Sequence, residues 1–125
     1  MDNLLEFLSE TNCQNFIQNP YPLLCKINHY LQEDIEYFKM LINSSSSERF
    51  INRLKKLFVS YMEKDANIAE SLKGTKEFDA TTYFIAGGVA ELYKRWFHDE
   101  LSIQSLDEMA HSASQNIIEC IKKFL

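Results

Sequence analysis

The sequence contains few residues that break helices, with three glycines and two prolines among its 125 positions. Folds rich in loops and tight turns depend on those two residue types. Glycine is also too scarce for phosphate-binding loops, and the dinucleotide, G-x-S-x-G and H-E-x-x-H signatures are missing from the sequence. These absences exclude the common enzyme motifs, and we expect a protein that is not an enzyme.

Cysteine is rare and its spacing suggests no pairing. Cys13, Cys25 and Cys120 are scattered along the chain and contain no C-x-x-C pair, which favours reduced thiols and a cytoplasmic location. The acidic first residues do not resemble a secretory signal. No apolar run approaches the roughly 18 to 20 residues that are needed to span a bilayer. We therefore expect a cytoplasmic protein that has no membrane segment.

Basic residues are outnumbered, because 13 Lys and Arg against 18 Asp and Glu give a net charge of −5. A negative chain repels phosphate backbones unless a local basic patch compensates. The basic run Arg53, Lys55 and Lys56 lacks aromatic residues interleaved on the same face, and such a run is more typical of a solvated helix side. We expect no direct nucleic-acid binding by this chain alone.

Hydrophobic residues are plentiful, at 46% of the chain, and they recur with the helical period. The predicted helices span residues 2–18 (one or two short helices), 22–43 with a polar interruption at 32–34, 48–66, 79–99 and 105–124. The S-x-x-E patterns from Ser45 to Glu48 and from Ser105 to Glu108 predict capping boxes at two helix starts. The sequence therefore predicts one all-α domain over residues 1–125, an orthogonal or antiparallel bundle of about five to six helices.

The predicted helix at 79–99 is apolar on two faces. One face carries Ile85, Val89, Leu92 and Trp96, and the second carries Tyr83, Ala86, Ala90, Tyr93 and Phe97. A surface helix buries a single stripe, so this helix needs two partners, either within the domain or in another subunit. Gly87 and Gly88 each cost a helix interior about 1 kcal/mol. They indicate the close approach of another helix or of a ligand, and a buried helix with one tight crossing is the simpler alternative.

One spacing is reminiscent of a metal centre. Glu108 and His111 match the Glu-x-x-His step of di-iron helical bundles, but such a site needs that step twice, with a carboxylate from each of two further helices. Neither His29 nor His98 has a glutamate three residues before it, so we expect no metal and no cofactor. His29 and Glu33 are spaced i,i+4, and a surface pair is favoured over a cavity position.

Residues 78–125 combine several features in a fixed order. The order is Phe84-Ile85-Ala86-Gly87-Gly88, a helix ending in Lys94-Arg95-Trp96, a short polar break, Ser105-x-x-Glu108, and an amphipathic helix with Leu106, Met109, Ala110, Ala113, Ile117, Ile121 and Phe124 on one stripe. This order resembles the end of a TetR/AcrR-type transcriptional regulator, and the resemblance is weaker over residues 20–66. Residues 1–20 lack the signature of the N-terminal helix-turn-helix head of that family. The chain is therefore expected to be either a fragment of a longer regulator or a relative without the head.

The resemblance implies a homodimer, because in that family the last two helices of each subunit pack against the same pair of the partner. The residues expected in or beside this contact are Ile85, Val89, Leu92, Trp96, Ala113, Ile117 and Ile121. An alternative is an interaction or scaffold protein with no ligand, and a small helical enzyme or carrier is a further one.

The resemblance also implies an effector cavity between the helices at 22–43, 48–66 and 79–99. Its aromatic and soft walls would suit a small apolar or aromatic effector. The expected lining residues are His29, Tyr30, Phe38, Met40, Phe58, Tyr61, Met62, Tyr83 and Phe84. The alternative interpretation is that these side chains fill the core.

Overall fold

The computed structural model describes residue 16, residues 18–65 and residues 68–124. Within these residues five α-helices follow one another, and a short 3₁₀ turn, Lys122–Phe124, closes the chain. The helices are α1 (Tyr21–Glu33), α2 (Ile35–Ile42), α3 (Ser47–Glu63), α4 (Lys76–Phe97) and α5 (Leu106–Ile121). The all-α prediction is confirmed. The predicted helix at 2–18 and Cys13 lie outside the described residues, apart from Phe16 and Gln18.

The first two helices form where the sequence predicts one interrupted helix. Proline opens α1 at a position whose backbone N–H would have no helical partner in any case. The break falls at Asp34, whose backbone leaves the helical region with φ −141° and ψ 50° and whose N–H donates to the Leu31 carbonyl. The polar interruption predicted at 32–34 is thus a true helix boundary between α1 and α2.

The two predicted capping boxes have different outcomes. At α5, Ser105 Oγ accepts a hydrogen bond from the Glu108 backbone N–H at 3.1 Å, and the Glu108 carboxylate accepts from the Gln104 N–H at 3.3 Å. The box predicted from Ser45 to Glu48 is wrong, since α3 begins without a side-chain cap. The Ser44 hydroxyl instead organises this turn, donating to the Leu41 carbonyl at 2.7 Å and accepting from the Ser46 N–H at 3.1 Å.

The start of α4 is defined by a glycine and a threonine. Gly74 has φ +85°, a left-handed conformation that side chains rarely adopt. Thr75 then caps the helix, since its hydroxyl accepts from the Phe78 N–H at 3.2 Å and donates to the Leu72 carbonyl at 2.8 Å. The helix therefore begins at Lys76, three residues earlier than predicted.

The core surrounds α4, which packs mainly on α3 and also on α5, while α1 packs on α5. Most of the predicted second face of α4 is buried, as are Ile85 and Val89 of the first face. Tyr83 is the exception on the second face, because its side chain is 63% exposed. At 3.6 residues per turn it lies about 60° from Ala86, just beyond the edge of the buried arc.

A buried polar link fixes three helices in register. The Tyr93 hydroxyl on α4 donates to Asn28 Oδ1 on α1 at 2.6 Å, and Asn28 Nδ2 donates to the Leu106 carbonyl at the start of α5 at 2.8 Å. The Tyr93 hydroxyl and the Asn28 side-chain amide are buried away from water, and each makes a hydrogen bond within the protein, as buried polar groups require. Among the described helices, none is both long enough and apolar enough to cross a bilayer.

Candidate functional site

A concave apolar groove of about 270 Å³ lies between α4 and α5. Nine residues line the groove: Phe84, Ile85, Gly88, Val89, Leu92, Ala113, Asn116, Ile117 and Cys120. Five of the seven residues expected at a dimer contact are in this lining. The structure therefore brings most of that predicted set to one groove, where Ile85, Val89, Ala113 and Ile117 are buried in its floor and Leu92 is half-buried.

The groove lining is uncharged, in a chain of which 25% of the residues are charged. Asn116 is its most polar side chain, and its Nδ2 donates to the Ser112 carbonyl of its own helix at 2.9 Å. Apolar walls with few polar groups favour burial against another apolar surface.

An exposed aromatic ring stands at the rim of the groove. The Phe84 side chain is 74% exposed, although its residue type is usually buried. A smaller depression lined by Ala80, Thr81, Phe84 and Cys120 continues the same surface toward the start of α4. The apolar surface on α4 therefore extends over three helical turns, from Ala80 to Leu92.

The two glycines of α4 have open space beside them. A Cβ atom placed on Gly87 or on Gly88 would meet no atom within 4 Å. The tight crossing expected at these glycines is therefore not made within the described residues of one chain, and that interpretation is wrong. Gly88 is exposed and lines the groove. Its helix-weakening effect of about 1 kcal/mol relative to alanine has no structural reason among the residues that the structure describes.

Two of the expected contact residues lie away from the groove lining. Ile121 is completely buried in the core, so it has no surface with which to touch a partner directly. Trp96 is half-buried and packs edge-on against Phe97, with ring centroids 5.2 Å apart. It continues the apolar side of α4 beyond Leu92.

The residues expected around an effector are not brought together at one site. Phe38, Phe58, Tyr61 and Met62 are part of the hydrophobic core, and Tyr30 packs against that core. Met40, Tyr83 and Phe84 are exposed instead. His29 is also exposed and lies with its Nε2 3.2 Å from Glu33 Oε1, so the predicted surface pair is confirmed.

A polar cluster that the sequence analysis missed joins α1 to α5. The Tyr21 ring stacks on His111 with centroids 4.2 Å apart, and the Tyr21 hydroxyl donates to Asp107 Oδ1 at 2.5 Å. That hydrogen bond is the main cause that raises the pKa of Tyr21. His111 Nε2 also lies 3.6 Å from Asp107 Oδ2. His111 therefore pairs with Asp107, and the described residues contain no group of side chains able to hold a metal ion.

Comparison with known protein families gives a match over most of the chain. The model of a family described as a transcriptional regulator C-terminal region matches residues 18–119, which include α1 to α4 and most of α5. The comparisons with curated proteins and with solved structures found no match.

Proposed function

Because the chain belongs to the family of TetR-type transcriptional regulator C-terminal regions, we propose that it forms a homodimer through α4 and α5 and acts as the dimerisation part of such a regulator. The observation that carries this proposal is the uncharged groove between the two helices, with the exposed Phe84 ring at its rim.

The chemistry of this surface favours a permanent contact. Burying a Phe side chain stabilises a complex by about 1.5 to 3 kcal/mol relative to leaving it in water. Obligate dimer interfaces resemble a hydrophobic core and bury well over about 1,200 Å² in total. The apolar side chains that remain available to a partner are the exposed Phe84 and the half-buried Leu92, Trp96 and Cys120, which lie on two long helices.

The net charge of the chain affects which surface two copies can use to contact each other. Two copies of a chain with a net charge of −5 repel each other at long range. Contact through an uncharged surface keeps the acidic side chains of the two copies apart and avoids the burial of an unpaired charge. The α4/α5 groove provides such a surface.

A charge placed in the groove tests the proposal. Asn116 is exposed and lines the groove, whereas its neighbour Gln115 is exposed but does not. We expect Asn116→Lys to shift the mass measured by light scattering at micromolar concentration from a dimer to the 14.7 kDa monomer. The matched variant Gln115→Lys should remain a dimer with the same helical content by circular dichroism.

A monomeric wild-type chain at micromolar concentration would overturn the proposed function. Loss of the dimer in both lysine variants would also contradict it, because the effect would then follow from charge on α5 in general rather than from the groove.

Effector binding by the regulator domain stays a prediction. The Phe16 ring lies 6.0 Å from Phe58 and 5.9 Å from Tyr61, centroid to centroid. An apolar effector between the middle helices would therefore have to replace such ring contacts. The absence of sequence-specific DNA binding by this chain alone is likewise a prediction.

A further inference from the structure

We propose that the two copies interlock through a reciprocal pair, with the Phe84 ring of each copy seated over Gly88 of the other. This inference rests on the proposed homodimer and assigns its central contact. It follows from the juxtaposition of a projecting ring and an empty position on one face of α4.

Phe84 supplies the projecting part. The residue is 74% exposed and yet belongs to the lining of both the groove and the depression beside Ala80. It therefore stands at the edge of an apolar concavity in its own chain without filling it. A ring in this position is available to a partner that offers a matching space.

Gly88 supplies the space. It follows Phe84 by four residues, so the two positions are neighbours on the helix surface, one turn apart. A Cβ on Gly88 would meet nothing within 4 Å, and the position opens into the groove of about 270 Å³. An apolar cavity of about 150 Å³ is enough to hold a benzene molecule in another protein, so the space is sufficient for a phenyl ring.

A two-fold axis makes the contact self-complementary. Four residues of helix rise about 6 Å. An axis that lies between the two α4 helices, level with the midpoint of Phe84 and Gly88, brings each ring onto the glycine of the other copy. The same patch is then used twice, as an isologous interface requires. The axis falls close to the middle of Lys76–Phe97, so both halves of α4 extend along the partner to a similar length.

The closeness of the crossing explains the residue types around it. Glycine leaves space beside the helix backbone that a partner's ring can occupy, and Ala113 on α5 is also small. The uncharged lining leaves no ionised group to be desolvated at the axis. A loosely held small ligand would need no such match between a ring and a glycine of the same helix.

Exchange of the two residues provides the test. Each single variant, Phe84→Gly or Gly88→Phe, should weaken the dimer about 100-fold in Kd by sedimentation, because two rings per dimer lose their seats. The double variant F84G/G88F places a ring at 88 opposite a glycine at 84. We expect it to recover most of the wild-type affinity, since contacting residues are energetically coupled.

The chain contains a matched control pair. Tyr83 and Gly87 have the same spacing on the same helix, Tyr83 is 63% exposed, and neither residue lines the groove. Tyr83→Gly and Gly87→Phe should therefore leave Kd unchanged. Phe84→Ala, which retains good helix propensity, tests the loss of the ring if Phe84→Gly unfolds α4.

Cys120 offers a second measurement, because it is half-buried and lines the groove. Its rate of maleimide labelling, located by mass spectrometry, should be slow in the wild-type and double-variant dimers and fast in the two single variants. Single variants that dimerise normally, or a double variant that does not recover, would overturn the reciprocal pair while leaving the homodimer intact. A monomeric wild type would overturn both proposals.

Discussion

The Tyr93 hydroxyl connects the chemistry of one side chain to the position of three helices. It is enclosed in the core and donates to Asn28, which in turn holds the start of α5. The helical period alone predicts that Tyr93 faces inward. Its partner could not be predicted, since Asn28 is 65 positions away and nothing in a local pattern selects it. The stacking of Tyr21 on His111 could likewise not be predicted from a local pattern.

We predict that Tyr93→Phe lowers the free energy of unfolding by about 1 to 3 kcal/mol at neutral pH, because Asn28 loses its buried hydrogen-bond donor. Urea denaturation measures this loss directly. Tyr37→Phe is a suitable control, since Tyr37 is an exposed tyrosine on α2. A loss below a few tenths of a kcal/mol would show that water replaces the hydroxyl at no cost.

Tyr93→Phe should also change how the free energy of unfolding depends on pH in alkaline solution. Burial raises the pKa of Tyr93, so the folded state favours the neutral hydroxyl. The resulting stabilisation is complete below the unfolded pKa of about 10 and is lost as the pH rises through the folded pKa, at up to about 1.4 kcal/mol per pH unit. Unfolding measured between about pH 9 and pH 11 should depend less steeply on pH in Tyr93→Phe than in the wild type or Tyr37→Phe. Equal slopes would contradict the assignment.

The helix starts show how far a local pattern determines an element. The sequence predicts the same capping box at two places, and only Ser105 makes the predicted side-chain cap. Glu108 accepts from the Gln104 N–H, one residue before the cap, so the serine half of the box is the part that forms. At the start of α3 the hydroxyl of Ser44 already closes the end of α2 and accepts from the Ser46 N–H. Where consecutive serines compete for the same few N–H groups, the preceding turn decides which one bonds, and the four-residue pattern does not contain that information.

The difference between the two starts can be measured. Ser105→Ala should lower the free energy of unfolding by about 1 kcal/mol, because a helix N–H loses its acceptor. Ser46→Ala should change it by only a few tenths of a kcal/mol, since the N-cap serine of α3 makes no side-chain hydrogen bond. Denaturant titration of both variants provides the comparison. A larger loss in Ser46→Ala than in Ser105→Ala would contradict the assignment of the caps.

The periodicity of the apolar residues does not by itself determine how the helices of the folded chain pack. The fold class and the inward side of α4 follow from spacing, because apolar residues must leave water wherever the helices pack. The expected effector residues separate into core and surface because an aromatic side chain suits either a core or a partner surface. Phe58 and Phe84 have the same chemistry, and only the packing of α3 and α5 around α4 decides that one is enclosed and the other exposed.

Replacing each of the two glycines of α4 by alanine should have a different effect on the strength of the proposed dimer. Alanine at either position removes up to about 1 kcal/mol of helix penalty, and its Cβ meets nothing within 4 Å in the part of the chain that the structure describes. Gly87 does not line the groove, so Gly87→Ala should raise the thermal midpoint and keep its dependence on protein concentration, which is the mark of a native dimer. In the proposed dimer the methyl groups added by Gly88→Ala would face the second copy, so the gain within the protomer should be accompanied by a weaker dimer. Scanning calorimetry between about 1 and 100 µM should therefore give a flatter concentration dependence for Gly88→Ala than for Gly87→Ala, and identical dependences would place the contact elsewhere on the molecule.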